Sequence, residues 1–319
     1  MGHSVGFLKL VKLLNSANDL SLKKEVIKTA LDVSDAELRE LSEKLASLGI
    51  NLQDYDDSLS LSLSNKVDLL DDSSIFKRVS GAGRIEILES VDSTNTYMLK
   101  NSKFLASGDT VIAECQEAGR GRRGGRWHST FGKQLTMSLC YIFDDFNKLE
   151  GLSVGIGVAV AQAVERFGFE DILLKWPNDI YKDLKKFGGI LIETVPHKNK
   201  IKAIIGVGLN VYADEFSNID KDYTSIFETQ PEGFKRNDLA VQLINNIKKV
   251  CHEFNDNNKK MIIESFKARD ELLGRNIRVE NEQGIFEGRA AGVDPHGSLL
   301  LTSEDNVISI RSGHITYIQ

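Results

Sequence analysis

The sequence predicts an α+β protein in three units: a helical N-terminal unit with a wing, a central mixed α/β domain and a small all-β C-terminal unit. Three observations carry that prediction. Apolar residues recur at helical spacing as far as Leu48. Strand-like and helix-like runs alternate after Arg84. From Asn276 only short β-like runs remain, separated by turns such as Asp294-Pro295-His296-Gly297. A chain of 319 residues is long enough for two or three units. Their limits are placed at 1–65, 66–272 and 273–319.

In the first unit, Phe7, Leu10, Val11 and Leu14 mark one helix. Ser21 is expected to cap a second, carrying Leu22, Val26, Ile27 and Ala30. Ser34-Asp35-Ala36-Glu37 is a capping box. It opens a third helix with Leu38, Leu41, Leu45 and Leu48 on its apolar face, and Gly49 ends it. Ile50 and Leu52, then Leu59, Leu61 and Leu63, alternate around a polar turn, as a hairpin would. Three helices and a hairpin make a winged helix-turn-helix; a generic three-helix adaptor is the alternative.

Residues 64–83 are polar and then Gly-rich, and read as a linker. In the central domain, strands are expected at Ile85–Leu88, Thr110–Glu114, Leu135–Phe143, Ile172–Lys175, Gly189–Thr194 and Ile201–Leu209. Helices are expected at Thr94–Lys100, Leu152–Phe167 and Asn237–Phe254. The C-terminal strands are expected at Ile277–Val279, Ile285–Ala291, Ser298–Leu301, Val307–Ile310 and Ile315–Ile318, forming a small barrel.

Composition narrows the function. A net charge of −6 argues against indiscriminate nucleic-acid binding. Cys115, Cys140 and Cys251 are scattered, without disulfide or metal spacing, which suits a reducing cytoplasm. No HxxxH or HxH pair occurs among the six histidines, so no protein-held zinc is expected. No secretion signal is read at the N-terminus. The most apolar run, Leu152–Val164, is too short to span a bilayer and reads as a helix buried on a sheet.

Five segments of the central domain carry chemistry. Asp92-Ser93-Thr94-Asn95 is a polar turn entering a helix, suited to a small polar head group. Gly119-Arg120-Gly121-Arg122-Arg123-Gly124-Gly125-Arg126-Trp127 places four arginines among four glycines. Arginine forks match phosphate and carboxylate oxygens, and glycine lets backbone amides approach an anion. Taken alone, such a run is as readily a solvated basic loop. Lys175-Trp176-Pro177-Asn178-Asp179 ends a strand in a rigid polar turn. Lys186-Phe187-Gly188-Gly189-Ile190-Leu191-Ile192-Glu193 brings a lysine to an apolar strand. Gly206-Val207-Gly208-Leu209-Asn210 notches a strand where a ligand can press on backbone.

In this order the five segments resemble the biotin protein ligases over roughly residues 85–319. The winged unit and the terminal barrel match the bifunctional branch, in which the ligase also represses the biotin operon. The resemblance implies a mixed-sheet catalytic domain of the class II synthetase-like, biotin–lipoate ligase type, and an SH3-like barrel after it. It implies that biotin, ATP and magnesium give biotinyl-5′-adenylate, which a lysine of the biotin carboxyl carrier protein of acetyl-CoA carboxylase then attacks. It also implies a monomer–dimer equilibrium promoted by the adenylate.

Site residues follow motif by motif from the same resemblance. Ser93, Thr94, Asn95 and Gln116 are expected on the biotin head group, with Gly119, Gly206 and Gly208 making room for it. Arg120, Arg122 and Lys186 are expected at the carboxylate and the reacting phosphate, Lys186 as the principal cation. Arg123, Asn178, Asp179 and Asn210 are expected on the nucleotide, Asp179 also on magnesium, and Trp127 is expected either to stack on the adenine at the nucleotide or to pack beneath the loop. The segment Asp214–Ser225 is expected to close over the adenine.

The chain departs from the family in two places. Gly125 loosens the arginine–glycine loop. The C-terminal arginine of relatives is missing from Gly313–Ile318, with Arg311 as a stand-in and His314 read as structural or solvent-facing. The first 63 residues hold seven basic and ten acidic side chains, four of the acids being Asp35, Glu37, Glu40 and Glu43 on the third helix. A recognition helix normally offers cations to phosphate, so DNA binding and repression are doubtful here. Two other readings stand beside biotin ligation: a lipoate or octanoate ligase, and a ligand-sensing DNA-binding regulator.

Overall fold

The computed structural model describes residues 6–62, 66–213, 223–303 and 306–318. The N-terminal unit runs α1 (Phe7–Ser16), β1 (Ser21–Lys23), α2 (Lys24–Leu31), α3 (Asp35–Ser47), β2 (Leu52–Asp54) and β3 (Ser58–Leu61). Ser34 and Glu37 form the expected reciprocal cap of α3. Ser21 does not cap α2. It lies in β1, paired with Ser60 of β3, and the helix begins three residues later at Lys24. Strand order β1-β3-β2 adds a third strand to the expected hairpin.

The supposed linker belongs to the folded body. Val67 and Leu70 are buried, and α4 (Asp72–Phe76) starts at the capping carboxylate of Asp71. Asp68 reaches the fully buried Arg236, whose guanidinium also meets Glu114 at 2.6 Å and the Gln134 carbonyl at 2.7 Å. Burial opposes that charge, but the two carboxylates outweigh it and hold the guanidinium above its usual range. An uncompensated arginine there would be costly. This network explains why a polar segment could not be left as linker.

The central domain continues with β4 (Ile85–Leu88), α5 (Thr94–Lys100), β5 (Thr110–Ala113), β6 (Gly119–Arg120), β7 (Arg126–Trp127) and β8 (Gln134–Phe143). Then come α6 (Leu152–Glu165), β9 (Leu173–Lys175), β10 (Asp179–Lys182), β11 (Lys185–His197), β12 (Lys200–Asn210), α7 (Arg236–Asn255) and α8 (Lys260–Lys267). Seven strands form one mixed sheet, ordered β4-β5-β8-β12-β11-β10-β9, with only β4 and β5 parallel. The apolar run read from sequence is α6, buried on almost every side with α7 beside it. No helix of the described residues is long and apolar enough to cross a membrane.

Strand periodicity separates the two faces of the sheet. On β12, Ala203, Ile205, Val207 and Leu209 join the large core with α6 and α7. Ile204 packs the other way, with Met98 of α5, Val111 and Cys140. Gly206 and Gly208 follow Ile204 on that second face and lie beside Ser138 and Thr136 of β8. The sheet therefore presents small or polar side chains where the site is built.

The C-terminal unit is β13 (Asn276–Asn281), β14 (Gly284–Val293), β15 (Leu299–Ser303), β16 (Asn306–Ile310) and β17 (His314–Tyr317). They form an antiparallel sheet in the order β16-β15-β14-β13-β17. Trp176, buried, donates its Nε1–H to the Gly297 carbonyl at 3.0 Å and ties this unit to the central domain. On the opposite side, Phe7 stacks edge-on against Phe131 at 5.4 Å, and the Leu48 carbonyl accepts from Phe131 N–H.

Candidate active site

A single cavity of about 780 Å³ lies between the α5 face of the sheet, the arginine–glycine loop and the C-terminal unit. One end is polar, neutral and buried. Thr94 N–H donates to Gln116 Oε1 at 2.8 Å. Ser138 Oγ lies 2.7 Å from Thr94 Oγ1 and 2.6 Å from Asn95 Oδ1. Ser93 caps α5 by accepting from the Thr96 N–H. These side chains are held by one another in a buried wall, so each is pre-aimed.

The glycines of β12 explain how this end stays open. A Cβ on Gly206 would come within 2.4 Å of Asn95 Oδ1, and one on Gly208 within 2.6 Å of the Trp127 indole. The indole thus lies on the notched sheet beneath the loop, and its Nε1–H is buried without a hydrogen-bond partner among the described residues. Gly119 and Asn210 do not line the cavity. Gly119 is needed because a side chain would strike the Trp127 carbonyl, 2.3 Å from where its Cβ would be. Asn210 is buried and donates to the Thr224 carbonyl at 3.1 Å; residues 214–222 of the segment expected to close over the adenine lie outside the described residues.

The other end is cationic. Arg120, Arg122, Arg123, Arg126, Lys175, Lys186 and Arg275 all border the cavity, against the carboxylates of Asp179 and Glu271. Lys186 Nζ sits 2.7 Å from Asp179 Oδ1. Arg122 Nη1 donates to Asn178 Oδ1 at 2.9 Å. Burial, then the charge of Arg123, pull Arg122 below the usual guanidinium range, with Asp179 opposing; it remains charged. Burial likewise lowers Lys175, whose ammonium lies over the Tyr317 ring at 4.1 Å. Arg123, in the left-handed region at φ 53°, donates to the Glu280 carbonyl at 3.1 Å and fastens the loop to the C-terminal unit.

Several lining residues were not anticipated. Thr136, Tyr181, Glu271, Arg275 and Tyr317 border the cavity, as does His314, which sequence had assigned to solvent or structure. Arg311 does not; it is exposed, 3.8 Å from Glu150. Arg275 is the arginine that the C-terminal side turns toward the cavity. The position of β17 across β13 is what brings His314 and Tyr317 in, and no local motif reports it.

A buried hydrogen-bonding end joined to a cationic end over a glycine floor suits a ligand with a small neutral head group and an anionic tail. A model described as the biotin/lipoate A/B protein ligase family matches residues 87–210, and one described as the biotin protein ligase C-terminal domain matches 272–315. The chain is 31% identical to the bifunctional ligase/repressor BirA of Escherichia coli, covering 94% of this chain and 93% of that one. It is 29% identical to the biotin–[acetyl-CoA-carboxylase] ligase of Mycobacterium tuberculosis, over 78% of this chain and 96% of that one. The biotin protein ligase of Aquifex aeolicus, solved with biotin and ATP, superposes with a TM-score of 0.64 at 27% identity, covering 73% of this chain and 97% of that one. The chain belongs to the biotin protein ligases.

Proposed function

We propose that this cavity holds biotin at its buried end and ATP at its cationic end, and that the product is biotin in amide linkage to a lysine of a biotin carboxyl carrier protein. One observation carries the reading: a single cavity joins a neutral hydrogen-bonding wall to seven cationic side chains. Thr94, Asn95, Gln116 and Ser93 suit the ureido ring, and the Trp127 indole suits the wall beside the valeryl chain. A biotin carboxylate oxygen attacks the α-phosphorus, the bond to the β-phosphate oxygen breaks, and pyrophosphate leaves. The carrier amine then attacks the acyl carbon, loses a proton, and AMP leaves. The chain supplies no nucleophile; it supplies orientation and fixed charge. Lys186 and Arg122 neutralise the carboxylate and the reacting phosphate, and Arg123, Asn178 and Arg275 suit the nucleotide.

Magnesium would meet Asp179, one of the two carboxylates bordering the cavity, which suits a hard cation brought in on phosphate oxygens. It would neutralise phosphate charge. We assign limits of 1–65, 66–272 and 273–319 to a winged helix-turn-helix, the catalytic domain and an SH3-like barrel. The reach of Asp68 to Arg236 and the C-terminal match beginning at residue 272 support these limits. Adenylate-promoted dimerisation goes with the same family reading.

A repressor role is favoured by the likeness to the bifunctional ligase/repressor of Escherichia coli. The charges of the N-terminal unit oppose it, and we assign the unit a supporting role on the catalytic domain. The activity is tested by incubating the protein with biotin, ATP, magnesium and a carrier-domain fragment, and weighing the fragment. It should gain one biotinyl group, only with ATP and magnesium. Gain with lipoate and none with biotin would overturn the substrate assignment.

A further inference from the structure

We infer that Glu193 is a positioning residue: it latches the arginine–glycine loop to the head-group wall, so that filling one fixes the other. The inference rests on the biotin ligase reading. Glu193 stands on β11 opposite Ile204, on the α5 face of the sheet, and does not itself line the cavity. Its Oε1 meets Arg120 Nη2 at 2.5 Å, and its Oε2 accepts from Asn95 Nδ2 at 2.9 Å. Arg120 is the first arginine of the loop, and its other nitrogen donates to Thr96 Oγ1 at 3.0 Å. Asn95 continues to Ser138, Ser138 to Thr94, and the Thr94 hydroxyl to Gln116 Oε1 at 3.2 Å. Six side chains thus form one polar chain, from the base of the loop to the far side of the head-group wall.

A carboxylate is the group this junction requires. It accepts from two donors on two different elements at once. An amide would turn an N–H toward one of them, and aspartate is a methylene too short. The contribution to stability is small, because the Arg120 and Glu193 side chains are 42% and 24% exposed. The value of the pair lies in aim. With Arg120 held, Arg122, two residues on, points at Asn178 across the cavity. Without the latch the cations remain but are no longer directed.

The test uses the full-length protein with Glu193→Gln, Glu193→Ala, Arg120→Ala and the Glu193→Ala/Arg120→Ala pair. Two readouts a merely structural residue would not move are taken beside thermal unfolding. The first is the release rate of biotinyl-adenylate, read as biotinylation of a bystander protein's lysines, with KM for biotin. The second, which needs no ligand, is the rate of tryptic cleavage within residues 119–126. Release and biotin KM should rise about 10-fold or more, the loss expected for a charged hydrogen bond, with melting temperature nearly unchanged. Cleavage should rise in parallel, and the double variant should be no worse than Arg120→Ala alone. Wild-type release and wild-type cleavage in Glu193→Gln would overturn the latch, as would effects that add fully with Arg120→Ala. Should wild-type protein make no biotinyl-adenylate, the ligase reading falls, and the cleavage rates still decide whether the loop is latched.

Discussion

The cleft and the N-terminal unit use the same cationic side chains to opposite ends. Seven cations border the cleft against two carboxylates, so the space between them favours an anion. In the N-terminal unit three of the six lysines are held in ion pairs. Lys24 pairs with Asp54, Lys28 with Glu25 and Asp35, and Lys44 of α3 crosses to Glu117 of the catalytic domain. Glu40 and Glu43 of α3 are exposed. Charge concentrated around a desolvated cavity can act on a ligand; charge neutralised on a wet surface does little. The unit's own contacts point to docking. Glu89, raised by burial, accepts from the Leu8 N–H at the start of α1, and Glu117 follows the cavity residue Gln116. The unit leans on the back of the segments that carry the head-group wall.

The largest effect should come from emptying the cleft of one cation. Lys186→Ala should slow biotinyl-adenylate formation by about 10²–10³-fold, the usual cost of removing one preorganised charge from a reacting centre, read as pyrophosphate released in single turnover. Arg122→Gly should act less on that rate and more on retention, releasing adenylate that labels unrelated lysines. Wild-type rate and retention in both variants would mean that these cations serve the fold alone, and the contrast between the two regions would collapse.

The sequence was most informative where function and backbone needed the same residue. The arginine–glycine loop, Ser93–Asn95 and Gly206–Gly208 could be read because no ordinary strand or helix asks for those types at those spacings. Most element limits were legible for a simpler reason, the alternation of β12 and the helical period of α7. What failed was non-local. Ser21 reads as a cap and is drawn into β1 by pairing with Ser60. Asp68, in a polar stretch, is claimed by an arginine 168 residues away. Asn210 sits beside two site glycines but turns to the Thr224 carbonyl instead of the cavity. Arg275 and Tyr317 reach the cavity only because the C-terminal sheet is laid against it.

A second prediction concerns the N-terminal unit. With biotin and ATP present, near physiological salt, the protein should give no sequence-specific electrophoretic shift of its own biotin promoter at nanomolar concentration. Phosphate contacts supply most non-specific affinity, and each needs a cation that is not already paired. The contrast can be sharpened by reversing charge. Glu40→Lys with Glu43→Lys should create measurable binding to any duplex, its logarithm falling with the logarithm of salt by about two more than wild type. A specific nanomolar shift by the wild-type protein would restore the repressor reading and show that surface pairing does not silence these lysines.

The smallest effect comes from a third kind of charge, one that is buried and unpaired. Asp270 lies where the catalytic domain passes into the C-terminal unit, bridged to Leu174 of β9. Its Oδ1 accepts from the Leu272 N–H at 2.9 Å, while Oδ2 is buried with no partner among the described residues. Glu114, fully buried, has Arg236; Asp270, half-buried, has no such cation among the described residues. Burial pushes its carboxyl up from 3.8 to about 6, the Leu272 N–H opposing and Glu271 adding to the rise. The folded state therefore holds this proton more tightly than the unfolded chain does. Stability falls as pH rises from about 4 to about 6, and the loss persists above that window. Asp270→Asn keeps the shape and removes the charge. Its melting temperature should exceed wild type by roughly 1–4 °C at pH 8, and the gap should narrow as pH falls through the window, because the wild-type carboxyl becomes neutral in the fold. Melting curves of both proteins across that range read the effect directly. A gap of constant size would place the penalty in packing, and a variant less stable than wild type at pH 8 would show that the ionised carboxylate has a partner there after all.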